Sequence, residues 1–266
     1  MNSSPSSLSS LSVTEIYKQS LKPADSKFNL YIARPLAAPI VAVCARTPIT
    51  PNQITFMSTL IMIGALIGLV SIEGWLGLWV GLIGIELSYV FDCVDGQLAR
   101  ITGRTSEVGG LLDFMMDELK AYLLIAAITL RLYWFPMEDG WATFDLMHSP
   151  WTLVGGLASV VIFASAISLT RFRRTPEYAR ATGRNQIKNG QASGEGKSGG
   201  PLWPIKVAAR LISQYPTSIP FFMVFNRLDL FLYSYTLLHL LYAGVSFADL
   251  MLQLGQFSST SEKELS

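Results

Sequence analysis

The chain has 266 residues, half of them hydrophobic, with a mean hydropathy of +0.39 and a formal net charge of +1. That composition departs from a soluble globular domain toward a membrane protein, and the near-neutral charge offers no general attraction to nucleic acid. Cys44 and Cys93 are the two cysteines, too few for a disulfide framework or a zinc cluster.

Residues 1–14, MNSSPSSLSSLSVT, are rich in Ser and carry no Lys or Arg. They read as a disordered tail and not as a secretory signal, which opens on basic residues before an apolar run. Residues 15–50 read as an interfacial segment. Phe28 to Ala45 is apolar but contains Arg34, Pro35 and Pro39, and the prolines interrupt helix hydrogen bonding, so an interfacial helix and a turn are expected rather than a crossing.

Residues 51–257 read as a membrane domain. A hydrocarbon core about 30 Å thick takes roughly 20 apolar residues of helix, and four runs reach that length: Ile54 to Ile72, Trp75 to Val94, Leu111 to Phe135 and Trp151 to Leu169. A fifth, Leu228 to Val245, contains Asp229 and His239. Ser218 to Phe225 is a candidate backward extension of it, and residues 246–257 a short sixth or interfacial helix interrupted by Asp249. The expected fold is all-α, a polytopic bundle of about six helices. Residues 174–205 hold many basic residues and the stretch NGQASGEGKSGG, which reads as a flexible linker because no strand precedes it and the Walker spacing is absent. Residues 258–266 read as a C-terminal tail. The basic excess in that linker and before the first run, against Glu138, Asp139 and Asp145 after the third, puts the linker, the N-terminal region and the turn between runs two and three in the cytoplasm.

Across that turn, residues 91–118 read FDCVDGQLARITGRTSEVGGLLDFMMDE. Ionised groups inside membrane helices face the bundle interior and mark functional sites. Asp92 and Asp95, and likewise Asp113 and Asp117, are three or four residues apart and so share a helix face. Four carboxylates aimed at one volume repel strongly unless cations enter. Hard divalent ions such as Mg²⁺ or Mn²⁺ prefer oxygen ligands, and two of them balance the charge, a centre suited to phosphoryl chemistry. Gly96 is positioned to turn the chain out of the second run and to let a substrate approach the backbone. Arg100 is a permanent cation for phosphate, and Gly109 and Gly110 permit close helix packing.

The spacing Asp-x2-Asp-Gly-x2-Ala-Arg-x8-Gly-x3-Asp-x3-Asp, filled by Asp92, Asp95, Gly96, Ala99, Arg100, Gly109, Asp113 and Asp117, resembles the signature of the CDP-alcohol phosphotransferase family. Pro51, Asn52 and Thr55 fit the Pro-Asn-x-x-Thr that members carry at the start of their first span. The resemblance implies a homodimeric enzyme of the bacterial cytoplasmic membrane, its site open to the cytoplasm. It implies two divalent ions, Mg²⁺ or Mn²⁺, on Asp92, Asp95, Asp113 and Asp117, with Asp117 also the general base. Asn52, Thr55, Gly96, Ala99, Arg100 and Gly109 would lie against the CDP moiety, and Arg174 and Arg227 are candidate acceptor ligands. The donor implied is CDP-diacylglycerol, with a soluble CDP-alcohol such as CDP-inositol the alternative. The acceptor is a small polar alcohol, with glycerophosphate, serine and inositol phosphate all open.

Blander readings stand beside these. The aspartates can form a structural cluster with Arg100, Arg104 or Lys120, and Glu86 with Lys120 reads as an intramembrane ion pair, with a role in positioning the site the alternative. Positive-inside topology accounts for Arg174 and Arg227, and interfacial anchoring for Trp75, Trp134, Trp141 and Trp151. His148 and His239 lack metal-ligand spacing. A membrane cation transporter would continue its acidic residues through the bilayer, whereas these four sit at one edge. A catalytically silent membrane scaffold is the remaining non-enzyme reading.

Overall fold

The computed structural model describes residues 12–22, 25–135, 146–182 and 212–261. Among them there are helices, one π-helical turn and connecting loops, with no strand. Helix α1, Val13–Gln19, starts two residues inside the expected tail, because Ser12 caps it in a reciprocal box with Glu15. Its Ile16 is buried against the following segment. A π-helical turn, Asn29–Ala33, leads into α2, Arg34–Cys44. Pro35 lies in the first turn of α2, where no N–H is required, and Pro39 is carried within the helix. At 11 residues, about 16 Å, α2 is too short to cross a bilayer. Its Ala37, Val41 and Cys44 pack on Ile54, Val94 and Leu98.

Helix α3, Pro51–Ser71, begins at a capping box between Thr50 and Gln53, with Pro51 in the first turn. Pro51 is therefore a start signal with a mechanical role, since its fixed φ suits a helix entrance. Helix α4, Gly74–Ile101, follows after a tight turn, and α5, Glu107–Trp134, begins at the Ser106 cap. Gly96 does not turn the chain out of α4, contrary to the sequence reading; the helix runs on to Ile101 and the reversal falls at Gly103, whose φ is +66°. Helices α3 and α4 are in backbone-close contact. A Cβ on Gly84 would lie 2.4 Å from Ala65 Cβ, and one on Gly77 would lie 1.9 Å from the Ile72 carbonyl oxygen. Small residues at such crossings let helices associate in lipid by close packing. The buried Arg131 of α5 closes the far end of the pair, donating to the carbonyls of Leu69, Ile72 and Gly74 at 2.6, 2.9 and 2.8 Å.

Helix α6, Pro150–Arg173, is followed by α7, Pro176–Thr182, then α8, Tyr215–Val224, and α9, Leu228–Ser261. Residues 183–211, the greater part of the expected linker, lie outside the described residues, as do the acidic loop with Trp141 and residues 1–11 and 262–266. Among the described residues, four helices are long and apolar enough to cross a membrane: Pro51–Ser71, Gly74–Ile101, Pro150–Arg173 and Leu228–Leu252. Helix α5, at 28 residues, is as long as α4. It carries Asp113, Asp117, Glu118, Lys120 and Arg131, and it packs among α3, α6 and α9.

Two expectations about the C-terminal part are corrected. Ser218 to Phe225 does not extend the fifth run backward, because Asn226 at φ 49° breaks the chain between α8 and α9. Residues 246–257 are not a separate helix. Asp249 is accommodated within an unbroken α9 by an ion pair with Arg173 at 2.8 Å. The exposed Trp75, Trp134 and Trp151 lie at helix ends, as interfacial anchors do. The main core, including Met62, Leu69, Ile85, Ile125, Ile128 and Phe231, ties α3, α4, α5 and α9 together.

Candidate active site

The last third of α4 and the first third of α5, joined by a five-residue turn, bring the aspartates together. One carboxylate oxygen from each of Asp92, Asp95 and Asp113 lies within 4.8 Å of the others. Metal–oxygen distances of about 2.0–2.6 Å put opposed ligands about 4–5 Å apart, so one hard cation can span this trio. Asp95 is buried and receives a 2.6 Å hydrogen bond from the hydroxyl of Thr55 on α3. That bond fixes which carboxylate oxygen is left to face the trio.

Asp117 is not part of the trio. Its Oδ1 is 2.9 Å from the ammonium of Lys120, one helical turn on, and the same ammonium is bonded to Asp92 Oδ1. Lys120 is completely buried and also reaches Ser58 Oγ at 3.4 Å. Ser58 and Ser88 exchange hydroxyl-to-carbonyl hydrogen bonds of 2.9 and 2.8 Å, locking α3 to α4 beneath the carboxylates. The expected Glu86–Lys120 ion pair is therefore wrong. Lys120 bonds the aspartates, and Glu86 Oε1 is buried with no hydrogen-bond partner among the described residues. The blander reading is right in one respect, that the cluster has an internal lysine partner.

Beside the trio opens a cleft of about 530 Å³, its mouth included. Asn52, Thr55, Gly96, Ala99, Arg100 and Gly109, all singled out from the sequence, line it together with Asp95 and Asp113. Two glycines keep it open. A Cβ on Gly109 would lie 2.9 Å from Ser106 Oγ and 3.5 Å from Asn52 Oδ1, and one on Gly96 would lie 3.3 Å from the Arg100 guanidinium. Arg100 is held from outside the bundle, its Nε donating to the carbonyl of Ser20 at 2.6 Å, while its Nη2 is buried with no hydrogen-bond partner among the described residues. An oxyanion entering the cleft can satisfy that donor. The N-terminal segment braces this wall: Arg34 pairs with Asp25, Asp25 accepts from Asn29 at 2.8 Å, and Tyr89 of α4 donates to Asn29.

The sequence reading offered Arg104 only as a structural partner of the aspartates and did not single out Thr105 or Ser106, yet all three line the cleft. Ser106 was legible as an N-cap, since its Oγ accepts from the Gly109 amide at 2.9 Å. The support from Ser20 had no signal, because it spans 80 positions. Arg174 and Arg227 are not among the lining residues. Arg174 ends α6, and Arg227 makes a two-pronged contact with Asp229 at 3.0 and 2.8 Å. His239 is occupied with the Tyr235 carbonyl and the Phe163 ring.

Comparison with known proteins bears on this arrangement. Residues 48–246 match the family model of CDP-alcohol phosphatidyltransferase. The chain is 36% identical over 107 residues to an archaetidylinositol phosphate synthase of Pyrococcus horikoshii, covering 40% of this chain and 53% of that one. It is 30% identical over 97 residues to a phosphatidylinositol phosphate synthase of Corynebacterium glutamicum, covering 36% and 43%. It is 37% identical over 95 residues to a bifunctional IPC transferase and DIPP synthase of Thermococcus kodakarensis, covering 33% and 20%. The matches thus span between a fifth and about half of the relatives' own lengths. With the motif, the cleft and a family model that covers most of the sequence all in agreement, the chain belongs to the CDP-alcohol phosphatidyltransferase family.

Proposed function

We propose that this membrane protein transfers a phosphorylated alcohol from a CDP-linked donor to the hydroxyl of a polar acceptor, releasing CMP, in phospholipid synthesis. The observation that carries the reading is the convergence of Asp92, Asp95 and Asp113 beside a cleft lined by Arg100 and the glycines of the motif. The donor is CDP-diacylglycerol, and the acceptor is an inositol phosphate. The names of the Pyrococcus and Corynebacterium relatives, an archaetidylinositol phosphate synthase and a phosphatidylinositol phosphate synthase, support the inositol phosphate acceptor, and the second supports the donor.

The donor set, all carboxylate oxygens at one cleft wall, fits Mg²⁺ or Mn²⁺. Asp92, Asp95 and Asp113 would hold one ion, and Asp117 would join them for a second. Bound there, divalent ions would polarise the pyrophosphate and neutralise charge gathering on CMP. The chain's own residues do the rest. Arg100 and the cleft backbone at Gly96 and Gly109 seat the pyrophosphate, and the unpartnered Nη2 of Arg100 donates to it. Asp117, whose Oδ1 faces Lys120 before a second ion enters, keeps Oδ2 to accept the proton of the acceptor hydroxyl. That oxygen bonds to the phosphorus bearing the lipid alcohol, the bond from this phosphorus to the CMP oxygen breaks, and the proton stays on Asp117. Water is kept from the reacting atoms on the membrane side by the buried layer at Ser58, Ser88 and Lys120.

The test is CMP release by purified protein with Mn²⁺ or Mg²⁺, CDP-diacylglycerol and a panel of acceptors. Inositol phosphate should raise the rate above every other acceptor. Release that responds only to a soluble CDP-alcohol would reassign the donor, and no release with any pair would overturn the reading.

A further inference from the structure

We infer that Lys120 is a resident cation of the aspartate centre and makes its two metal positions unequal: one ion enters freely among Asp92, Asp95 and Asp113, and a second has to displace Lys120 from Asp117. The inference rests on the metal-binding reading of the aspartates given above. A lysine in a membrane helix ordinarily extends its ammonium toward the interface. Lys120 does the reverse, being fully buried with its ammonium directed at the centre.

Its surroundings are built for it. An ammonium has three N–H donors, and three acceptors from three helices meet them: Ser58 Oγ of α3, Asp92 Oδ1 of α4 and Asp117 Oδ1 of α5. The Ser58 hydroxyl is turned away to donate to the Ser88 carbonyl at 2.9 Å, which leaves its lone pairs for the lysine. Glu118, the nearest other carboxylate in sequence, is held by Arg171 at 3.1 Å. Lys120 is thus committed to the aspartates.

Charge then sets the loading order. With four ionised aspartates and Lys120, the centre carries three net negative charges. A first divalent ion leaves one, so a second is drawn in by half the charge it would meet without the lysine. The trio that converges is also the one whose members, apart from one oxygen of Asp92, are not bonded to Lys120. The lysine acts through Asp117 and Asp92, and is a positioning residue.

Mn²⁺ titration of the purified full-length chain, with free ion followed by EPR and no substrate present, tests this. The wild type should take up one tight equivalent and a second at least about tenfold weaker. In Lys120→Met the second should tighten by at least about tenfold, and Lys120→Arg, which keeps the charge, should retain the unequal pattern. Two equal equivalents in the wild type, or a Lys120→Met isotherm superimposable on it, overturn the role of Lys120 while leaving the aspartate site standing. Absence of Mn²⁺ binding in every form overturns the metal reading, and this inference with it. If Lys120→Met does not fold, Lys120→Gln takes its place in the same titration, with the same expected and overturning results.

Discussion

Replacing Thr55 by Val removes a hydroxyl and keeps the shape. The hydroxyl donates to Asp95 Oδ2 at 2.6 Å, with a longer 3.2 Å contact to the Pro51 carbonyl, so its proton belongs mainly to the carboxylate. Both groups are largely buried at the cleft wall, and a methyl in place of the hydroxyl leaves Asp95 without its protein donor. A hydrogen bond to a charged group is worth about 1.5–3 kcal/mol, and each 1.4 kcal/mol is about a factor of ten. Without the bond, Asp95 is free to turn away from Asp92 and Asp113. The expected result is about 10–100-fold weaker Mn²⁺ binding at the tight position, the range found for groups that orient metal ligands, with a comparable fall in CMP release at limiting metal. Thr55→Ser keeps the donor and should stay close to the wild type. The measurement is a Mn²⁺ titration paired with CMP release as a function of metal concentration. Wild-type affinity in a folded Thr55→Val protein would refute the claim that this bond aims the ligand.

Asp117→Asn should lower CMP release by about 10²–10⁴-fold, the range for loss of a general base, while the tight Mn²⁺ equivalent persists, because Asp117 is outside the converging trio; full CMP release would place the base elsewhere. Arg131→Met strips the α3 end of three hydrogen bonds and should cost about 3–5 kcal/mol in unfolding from detergent, whereas an unchanged denaturation midpoint would show that the carbonyls find other partners. Gly84→Val pushes a side chain into a gap where even its Cβ meets Ala65 at 2.4 Å; a loss of about 1–3 kcal/mol is expected in the same assay, and Gly64→Ala, at a position with no neighbour within 4 Å, is the control.

Much of this protein is readable along the chain because lipid makes local sequence decisive. In hydrocarbon every backbone polar group has to be satisfied internally, so an apolar run of membrane length has little choice but helix. The runs from Ile54, Trp75, Leu111, Trp151 and Leu228 each became one. The aspartate spacing was equally legible, since helix period alone puts Asp92 with Asp95 and Asp113 with Asp117 on one face. Local rules failed where a distant group intervened. Gly96 had the right residue type for a turn, yet α4 continues past it and the chain reverses at Gly103 instead. Asp249 has the residue type of a helix interruption, yet Arg173 lies 2.8 Å away and the last helix runs through it.

What the sequence determined by itself was the all-α class, most of the long helices and the eight motif positions, of which Asp95, Gly96, Ala99, Arg100, Gly109 and Asp113 line the cleft, because hydropathy and periodicity are properties of neighbouring residues. What only the tertiary structure decided was who partners whom. Lys120 lies on Asp92, 28 positions away, and not on Glu86; Thr55 aims Asp95 from 40 positions away; Ser20 holds Arg100 from 80. Such partnerships depend on which helix faces come together, and the energy that selects them is the cost of leaving a buried charge or donor unpaired, a quantity defined only once the helices have packed.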